Sequence, residues 1–499
     1  MPDRSRHSIT RQVAILIAVS TMIRLLFAAA SGLGVDESYM VASGRDVSLG
    51  YFDHPPASWW LSRGAASLFG TEAAVIVRLP FIALFALSTW LMFRLGAAIA
   101  SPRAGLWAAV ALNLSPVFGV TTGTWVLPDG PLDCALLGAA LCLVHALSDP
   151  GGRAGRWWCG AGLCAGLALF AKYSAILTMA GAFLFLVVSP AHRHWLRRRE
   201  PYVALGLAVL VFAPVVTWNA THGWASFAFQ GERAAGLRFR PLEPFATLGG
   251  QALFVLPWIW LAMVALAAWT LRRRDAPWPH RLLVCLAAPP VVLFALVSAW
   301  SGQRVLFHWA APGYLMLFPL LGEAVAQRLD RAWVRRVIVA TAALVLAAVA
   351  VIGTQLRFDW LGPALAAVTR RDPTAEGINW TSLRPDLAAR GLIGPGSLVG
   401  VPNWRDAGKI AYALGPDVIV LCLNRDCRQF GFAHPPAAYA GRDVVVLIPE
   451  HADRALPALA PLFNRLEPLP PSPITIGDRV LQEVAVARGY GLRAWPASP

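Results

Sequence analysis

RQVAILIAVSTMIRLLFAAASGLGVDESYM (residues 11–40) carries the pattern that decides the fold. An apolar run over 12–30 follows Arg11, with Arg24 its single charged residue, and Asp36 and Glu37 come directly after it. A helix rises about 1.5 Å per residue, so about 20 such residues cross a hydrocarbon core about 30 Å thick. Comparable runs recur at 75–98, 104–121, 131–147, 157–171, 173–189, 202–217, 246–270, 282–300, 305–326 and 335–353. The reading is a polytopic α-helical membrane protein with about eleven transmembrane helices. Arg4, Arg6 and Arg11 before the first run, and Ala28-Ala29-Ala30 at its end, also fit a signal peptide; Arg24 inside it argues for a span.

Composition agrees. The 499 residues are 57% hydrophobic and 14% charged, against about 45–50% and 25% for a soluble domain. Disorder, a disulfide-stapled secreted fold and a nucleic-acid partner are disfavoured. The net charge of +15 is not a nucleic-acid footprint, because residues 355–499 hold 15 basic and 13 acidic residues and the excess lies between the apolar runs. There it alternates. One set of connecting segments carries 19 arginines, among them Arg94, Arg103, Arg153, Arg197, Arg272 and Arg335; the other carries eight basic residues, among them Arg45, Arg78, Lys172 and Arg304. The richer set belongs in the cytoplasm. Eleven spans then place the N-terminus inside and the tail outside.

The expected division is a membrane domain, 1–354, and an external domain, 355–499. The tail has β-rich runs at 397–401, 418–423 and 444–448, helices near 406–414 and 452–463, and a hairpin at 474–487. Strands alternating with helices read as a small α/β domain. EPLPPSP (467–473) reads as a linker or loop. Cys134, Cys142, Cys159, Cys164 and Cys285 fall in apolar runs as packing residues. Cys422 and Cys427 can pair if the tail lies outside.

The unusual polar residues map to the arginine-poor side. GVDESYMVASGRDVSLGYFDHPPASWWLSRGAASLFG (34–70) is too long for a turn and reads as interfacial amphipathic helices, with Trp59 and Trp60 at headgroup depth. Asp36 and Glu37 are at minimum a solvated helix cap. Asp129 and Asp133 open the fourth run; Asp129 reads as an N-cap, whereas Asp133 lies a turn inside and needs a cavity or partner. Lys172 is the only lysine before residue 354. It is either a snorkelling interfacial cation or a point charge for a phosphate. Asn219, His222 and Gln230 lie in 218–244, and Arg304, His308, Trp309 and Tyr314 in 298–314. Transporters place such groups near the midplane and channels ring a pore with them. Collected at one surface, they suit an enzyme that takes a lipid-linked substrate. A lipid-linked glycan flippase or transporter, or a non-catalytic envelope assembly protein, are the alternatives.

These residues resemble a known family. Asp36-Glu37, YFDHPP (51–56), LFG (68–70), VRLP (77–80), LPDGPL (127–132), KYSA (172–175), WNATHGWASFAFQ (218–230) and HW (308–309) occur in the order of the bacterial glycosyltransferase family 39 pattern. That group is related to protein O-mannosyltransferases and the aminoarabinose transferase of lipid A. The resemblance covers about residues 10–350. It implies a GT-C fold, an undecaprenyl- or other polyprenyl-phosphate sugar donor, a lipid, glycan or protein acceptor, and usually inversion, at the outer face of a bacterial inner membrane with the tail in the periplasm. It further implies Asp36 as base and Glu37 as its neighbour or an acceptor contact. Tyr51, Asp53, His54, Asp129, Asn219 and His222 would be cavity or acceptor residues. Lys172, Arg78 and Arg304 would hold the donor phosphate. No cofactor is certain; a divalent metal is possible, with Asp129 and His308 as candidate ligands.

Overall fold

The computed structural model describes residues 2–149, 152–234, 239–302, 304–362, 364, 374–476 and 479–493. Each apolar run falls wholly or largely on helix. Among the described residues six helices are long and apolar enough to cross a bilayer: His7–Ala30, Ala74–Ile99, Asp129–Ser148, Glu200–Thr221, Trp278–Val297 and Ala332–Phe358. Two expected spans are instead broken pairs, Glu243–Val255 with Pro257–Arg272, bent by 113°, and Phe307–Leu315 with Phe318–Ala326, bent by 56°. Even with each pair taken as one span, eight qualify by length and composition, not eleven. The remaining runs form the shorter or less apolar helices Pro102–Leu114, Ala154–Ala171 and Ala175–Val188.

The 113° bend has a local cause. Pro257 has no N–H to donate, and Leu256 before it takes φ 88°, outside any helix. Tyr314 ties the two halves: its hydroxyl donates to Gln251 Oε1 at 2.6 Å and accepts from Trp260 Nε1 at 2.8 Å.

By contact the chain sorts into two compact units, neither continuous in sequence. The first comprises Met1–Leu25, Leu49–Ser58 and Leu79–Ala348; the second comprises Leu26–Ser48, Trp59–Arg78 and Val349–Pro499. The segments 26–48 and 59–78 thus group with the tail and not with the rest of 1–354.

Small residues set helix spacing in the first unit, as expected where lipid offers no hydrophobic drive to association. A methyl at Gly162 would overlap the backbone of Ala204, and one at Gly181 the backbone of Cys285 and Leu286. Arg24 is buried and largely satisfied, its Nε being without a hydrogen-bond partner among the described residues. It donates to Ser20 O at 2.9 Å and Asn113 Oδ1 at 3.1 Å and lies over the Phe85 ring at 4.2 Å.

The second unit holds a five-stranded sheet. Its strands are β1 (Leu398–Val401), β2 (Ile419–Cys422), β3 (Val444–Ile448), β4 (Phe463–Ile476) and β5 (Arg479–Leu492), in the order β2-β1-β3-β5-β4. β1 pairs parallel with β2 and β3; β5 pairs antiparallel with β3 and β4. β1 and β3 are buried along their whole length, as a central parallel strand requires. EPLPPSP is not a linker but the middle of β4. Proline is tolerated there because β4 is an edge strand, and the register shifts between Leu469 and Ser472. The second expected helix stops at Leu459, and Phe463 already begins β4. Cys422 and Cys427 form a disulfide.

The helices Val35–Ser43 and Ala57–Phe69 form where 34–70 was read as helical. Trp59, expected at headgroup depth, is 0% exposed and donates to Ser43 Oγ at 2.9 Å; Trp60 is the exposed one. Tyr39 packs edge-on to Trp404 at 5.3 Å and accepts from Gln429 N at 3.1 Å. Gly408 allows this, since a Cβ there would stand 2.8 Å from the Tyr39 backbone.

Lys409 sits in the same region, 3% exposed, its ammonium donating to Leu33 O, Glu376 O and Ile378 O at 2.8–3.0 Å. Burial pushes it down to about 7, against the opposing pull of Glu37 and Glu376. Between that value and its ordinary 10.5 the unfolded chain holds a proton that the folded chain releases, so stability rises with pH across this window. Thermal denaturation of wild type and Lys409→Met, compared at pH 7 and pH 9, is expected to shift in favour of the wild type as pH rises. A pH-independent difference would contradict the depressed pKa.

Candidate active site

In the first unit the chemistry converges on one ion pair. Pro128 and Pro131 fix the turn that starts the helix Asp129–Ser148, so Asp129 stands at a helix N-terminus. Lys172 is the extended residue that closes Ala154–Ala171, so its ammonium stands at a helix C-terminus. Each charge complements its own helix dipole. Lys172 Nζ donates to both Asp129 oxygens, at 2.9 and 3.0 Å, and both side chains are buried. Asp133, one turn on, is buried too, and neither of its oxygens has a hydrogen-bond partner among the described residues. His54 and His308 lie within electrostatic reach of Asp129.

Lys172 forms part of the wall of a cavity of about 140 Å³. His54, Tyr173, Ser174, Gln230 and Trp309 supply its other polar groups, and Leu293, Phe294 and Val297 an apolar side. Gln230 Nε2 donates to Asp53 O at 2.5 Å, which fastens the YFDHPP segment. Tyr51 and Asp53 of that segment are buried. Tyr173 Oη lies 2.7 Å from Ser226 Oγ.

The sequence WNATHGWASF reads here as a helix–turn–helix joint. Gly223 and Trp224 take positive φ, 61° and 59°. Asn219 Oδ1 accepts from Phe227 N, and His222 stacks on Trp218 at 4.2 Å with its Nδ1 2.8 Å from Trp218 O. Asn219 and His222 are therefore joint residues, and the cavity wall that this segment supplies comes from Gln230. Arg304 is exposed, over the Phe307 ring at 4.9 Å. A metal does not suit this donor set. Lys172 already holds both oxygens of Asp129, and among the described residues no three His, Cys, Asp or Glu side chains cluster as ligands.

The second unit holds the other expected residues. Arg78 is 1% exposed with every N–H donor engaged. It donates to Ala28 O, Ser31 O, Ser31 Oγ and Gly32 O at 2.8–3.1 Å, closing the first helix, and to both Glu37 oxygens at 2.8 and 2.6 Å. Glu37 in turn accepts from Gly34 N at 2.9 Å, capping Val35–Ser43. Arg78 is thus the counter-ion of Glu37 and not a free phosphate ligand, and Glu37 is a cap. The pair fixes the turn from which Asp36 projects, exposed, in the first turn of the helix. Arg78→Ala leaves Glu37 buried without its cation, and is expected to cost about 3–5 kcal/mol. Loss of the folded protein, followed by detergent-solubilised thermal unfolding, checks it.

Residues 53–218 match the family model described as dolichyl-phosphate-mannose-protein mannosyltransferase. A curated relative, the lipid A galacturonosyltransferase RgtD of Rhizobium johnstonii, is 25% identical over 287 residues, which cover 56% of this chain and 58% of that protein. The crystal structure of ArnT from Cupriavidus metallidurans bound to undecaprenyl phosphate superposes with TM-score 0.66 at 15% identity, covering 96% of this chain and 98% of that one. The mycobacterial arabinofuranosyltransferase AftD superposes with TM-score 0.52 at 19% identity, over 98% of this chain and 42% of that one. The chain thus resembles these glycosyltransferases in sequence and shares its fold with ArnT. At these identities the structural likeness speaks for the GT-C fold alone, and the match to the curated relative spans less than two thirds of its length. The match to the family model contains the Lys172–Asp129 pair and begins after Asp36, so it does not bear on what Asp36 does.

Tyr173, Gln230 and Trp309 were not singled out from sequence as site residues. The signal was present: each lies in a segment that already held a candidate, KYSA, WNATHGWASFAFQ and HW.

Proposed function

We propose that the protein is a membrane glycosyltransferase that moves a sugar from a polyprenyl-phosphate donor to an acceptor hydroxyl, with inversion. One observation carries the reading: an ammonium, Lys172, paired with Asp129 and buried on the wall of a largely apolar cavity. A phosphate that takes the remaining N–H of Lys172, beside the two held by Asp129, meets a cation already largely withdrawn from water, and such a charge-assisted contact is strong in a shielded site. Lys172 then stabilises charge that develops on the leaving phosphate oxygen. The acceptor oxygen attacks the anomeric carbon, the bond from that carbon to the phosphate oxygen breaks, and polyprenyl phosphate leaves with the electron pair. Asp36 takes the acceptor's proton.

The lipid A galacturonosyltransferase among its relatives supports a glycolipid acceptor of the lipid A type. The excess of arginine in alternate segments supports eleven crossings, a bacterial inner membrane, and residues 355–499 in the periplasm. The Cys422–Cys427 disulfide supports an oxidising compartment for the tail. Two ionisable groups within the helices have partners nearby: Arg24 donates to Asn113, and Glu323 faces His280 at 3.0 Å. Mass spectrometry of cell-envelope glycolipids is expected to show one sugar-bearing lipid species present with this protein and lost without it. Identical lipid profiles would contradict the reading.

A further inference from the structure

The sheet contains a crevice that the proposed reaction has not used. The chain leaves β1 toward β2 and returns to β3 on the opposite side of β1. Where strand order reverses in this way, the connections diverge at the carboxyl ends of the strands, and open α/β sheets bind ligands there.

At that point lies a cavity of about 270 Å³, walled by Asp406 after β1, by Glu450 and His451 after β3, and by Trp380. It adjoins a wider depression of about 470 Å³ that also includes Glu450 and His451. His451 takes φ 55°, ψ 41°, a left-handed conformation in a residue other than glycine. Such backbone persists where its surroundings over-determine it, and it gathers at ligand sites. Gln482 of β5 holds this turn by donating to Pro449 O at 2.5 Å.

The wall chemistry selects the ligand class. Its arginine and lysine are already engaged: Arg405 with Glu376 at 2.6 Å, and Lys409 with three carbonyls. Its carboxylates disfavour a polyanion and accept hydrogen bonds from hydroxyls. Trp380 offers a half-buried flat ring to the C–H face of a pyranose. Val35 also lines the cavity, and Asp36 is the next residue.

We propose that this cavity is a saccharide-binding site that holds a hydroxyl-rich acceptor sugar beside the segment bearing Asp36. The word acceptor rests on the glycosyltransferase reading; the binding of sugar does not. The test uses the full-length protein in detergent. Its probe is the glucosamine disaccharide of lipid A stripped of acyl chains and phosphates, with saturation-transfer NMR as the readout. The wild type is expected to bind, and Glu450→Gln and Trp380→Ala each to weaken binding at least tenfold at unchanged denaturation temperature. With intact lipid A, both variants are expected to raise the acceptor KM at least tenfold and leave the donor KM alone. Absence of disaccharide binding, or variants that bind as the wild type does, would overturn the site. Variant-sensitive binding without any sugar transfer would keep the site and remove the glycosyltransferase reading. Transfer with an unchanged acceptor KM in both variants would do the reverse.

Discussion

Asp36→Asn is expected to lower sugar transfer by about 10²–10⁴-fold, the usual contribution of a positioned general base, while the protein inserts and unfolds as the wild type does. The reason lies in the different situations of two adjacent carboxylates. Glu37 is 3% exposed, and its oxygens are committed to Arg78 and to the Gly34 amide. It cannot take a proton from an acceptor without dismantling the cap. Asp36, one residue earlier, is exposed. The amide of asparagine keeps the shape and loses the basicity, so the loss should fall on turnover. Glu37→Gln should do the opposite, lowering the yield of folded protein through the broken pair with Arg78. Undiminished transfer by Asp36→Asn would remove Asp36 from the base role.

The second large effect concerns Lys172 and Asp129. Lys172→Ala leaves a buried carboxylate without its cation, which costs about 3–5 kcal/mol, and so confounds binding with folding. The double variant Lys172→Met, Asp129→Leu separates them. Replacing a buried pair by apolar residues of similar volume is often neutral or stabilising. Stability near that of the wild type is therefore expected, with donor affinity lowered at least tenfold, read by displacement of a labelled polyprenyl phosphate. Wild-type affinity in the double variant would exclude Lys172 from the phosphate contact.

The fold was legible where one segment determines its own structure. Apolar length found the helices, and β-rich runs found β1, β2 and β3, because burial on both faces leaves a compositional trace. Properties that depend on partners distant in sequence were not legible. Nothing in 246–270 except Pro257 betrays a 113° bend, and a proline in a membrane helix is often only a kink. EPLPPSP looked like a loop because edge position in a sheet is a tertiary fact. Trp59 and Trp60 are equivalent by composition; only packing on Ser43 makes the first a core residue.

The site shows the same division. Lys172 was legible through its rarity, and Asp129 through its place at a helix start. That the two are partners, 43 residues apart, was not. Arg78 looked like a phosphate ligand because it is an arginine on the arginine-poor side. Its commitment to Glu37 and the end of the first helix is visible only in three dimensions. His222 looked like a site residue for its chemistry, whereas its place is a cap on the joint that positions Gln230.

Transfer of sugar from a lipid phosphate by this chain can be followed directly. The direct measurement incubates the purified full-length protein in detergent with lipid A and a polyprenyl-phosphate sugar radiolabelled in the sugar. Label is expected in the lipid A fraction, with free polyprenyl phosphate in equal amount, and neither product with Asp36→Asn. Label that stays on the donor across a panel of polyprenyl-phosphate sugars, with binding but no turnover, would contradict it.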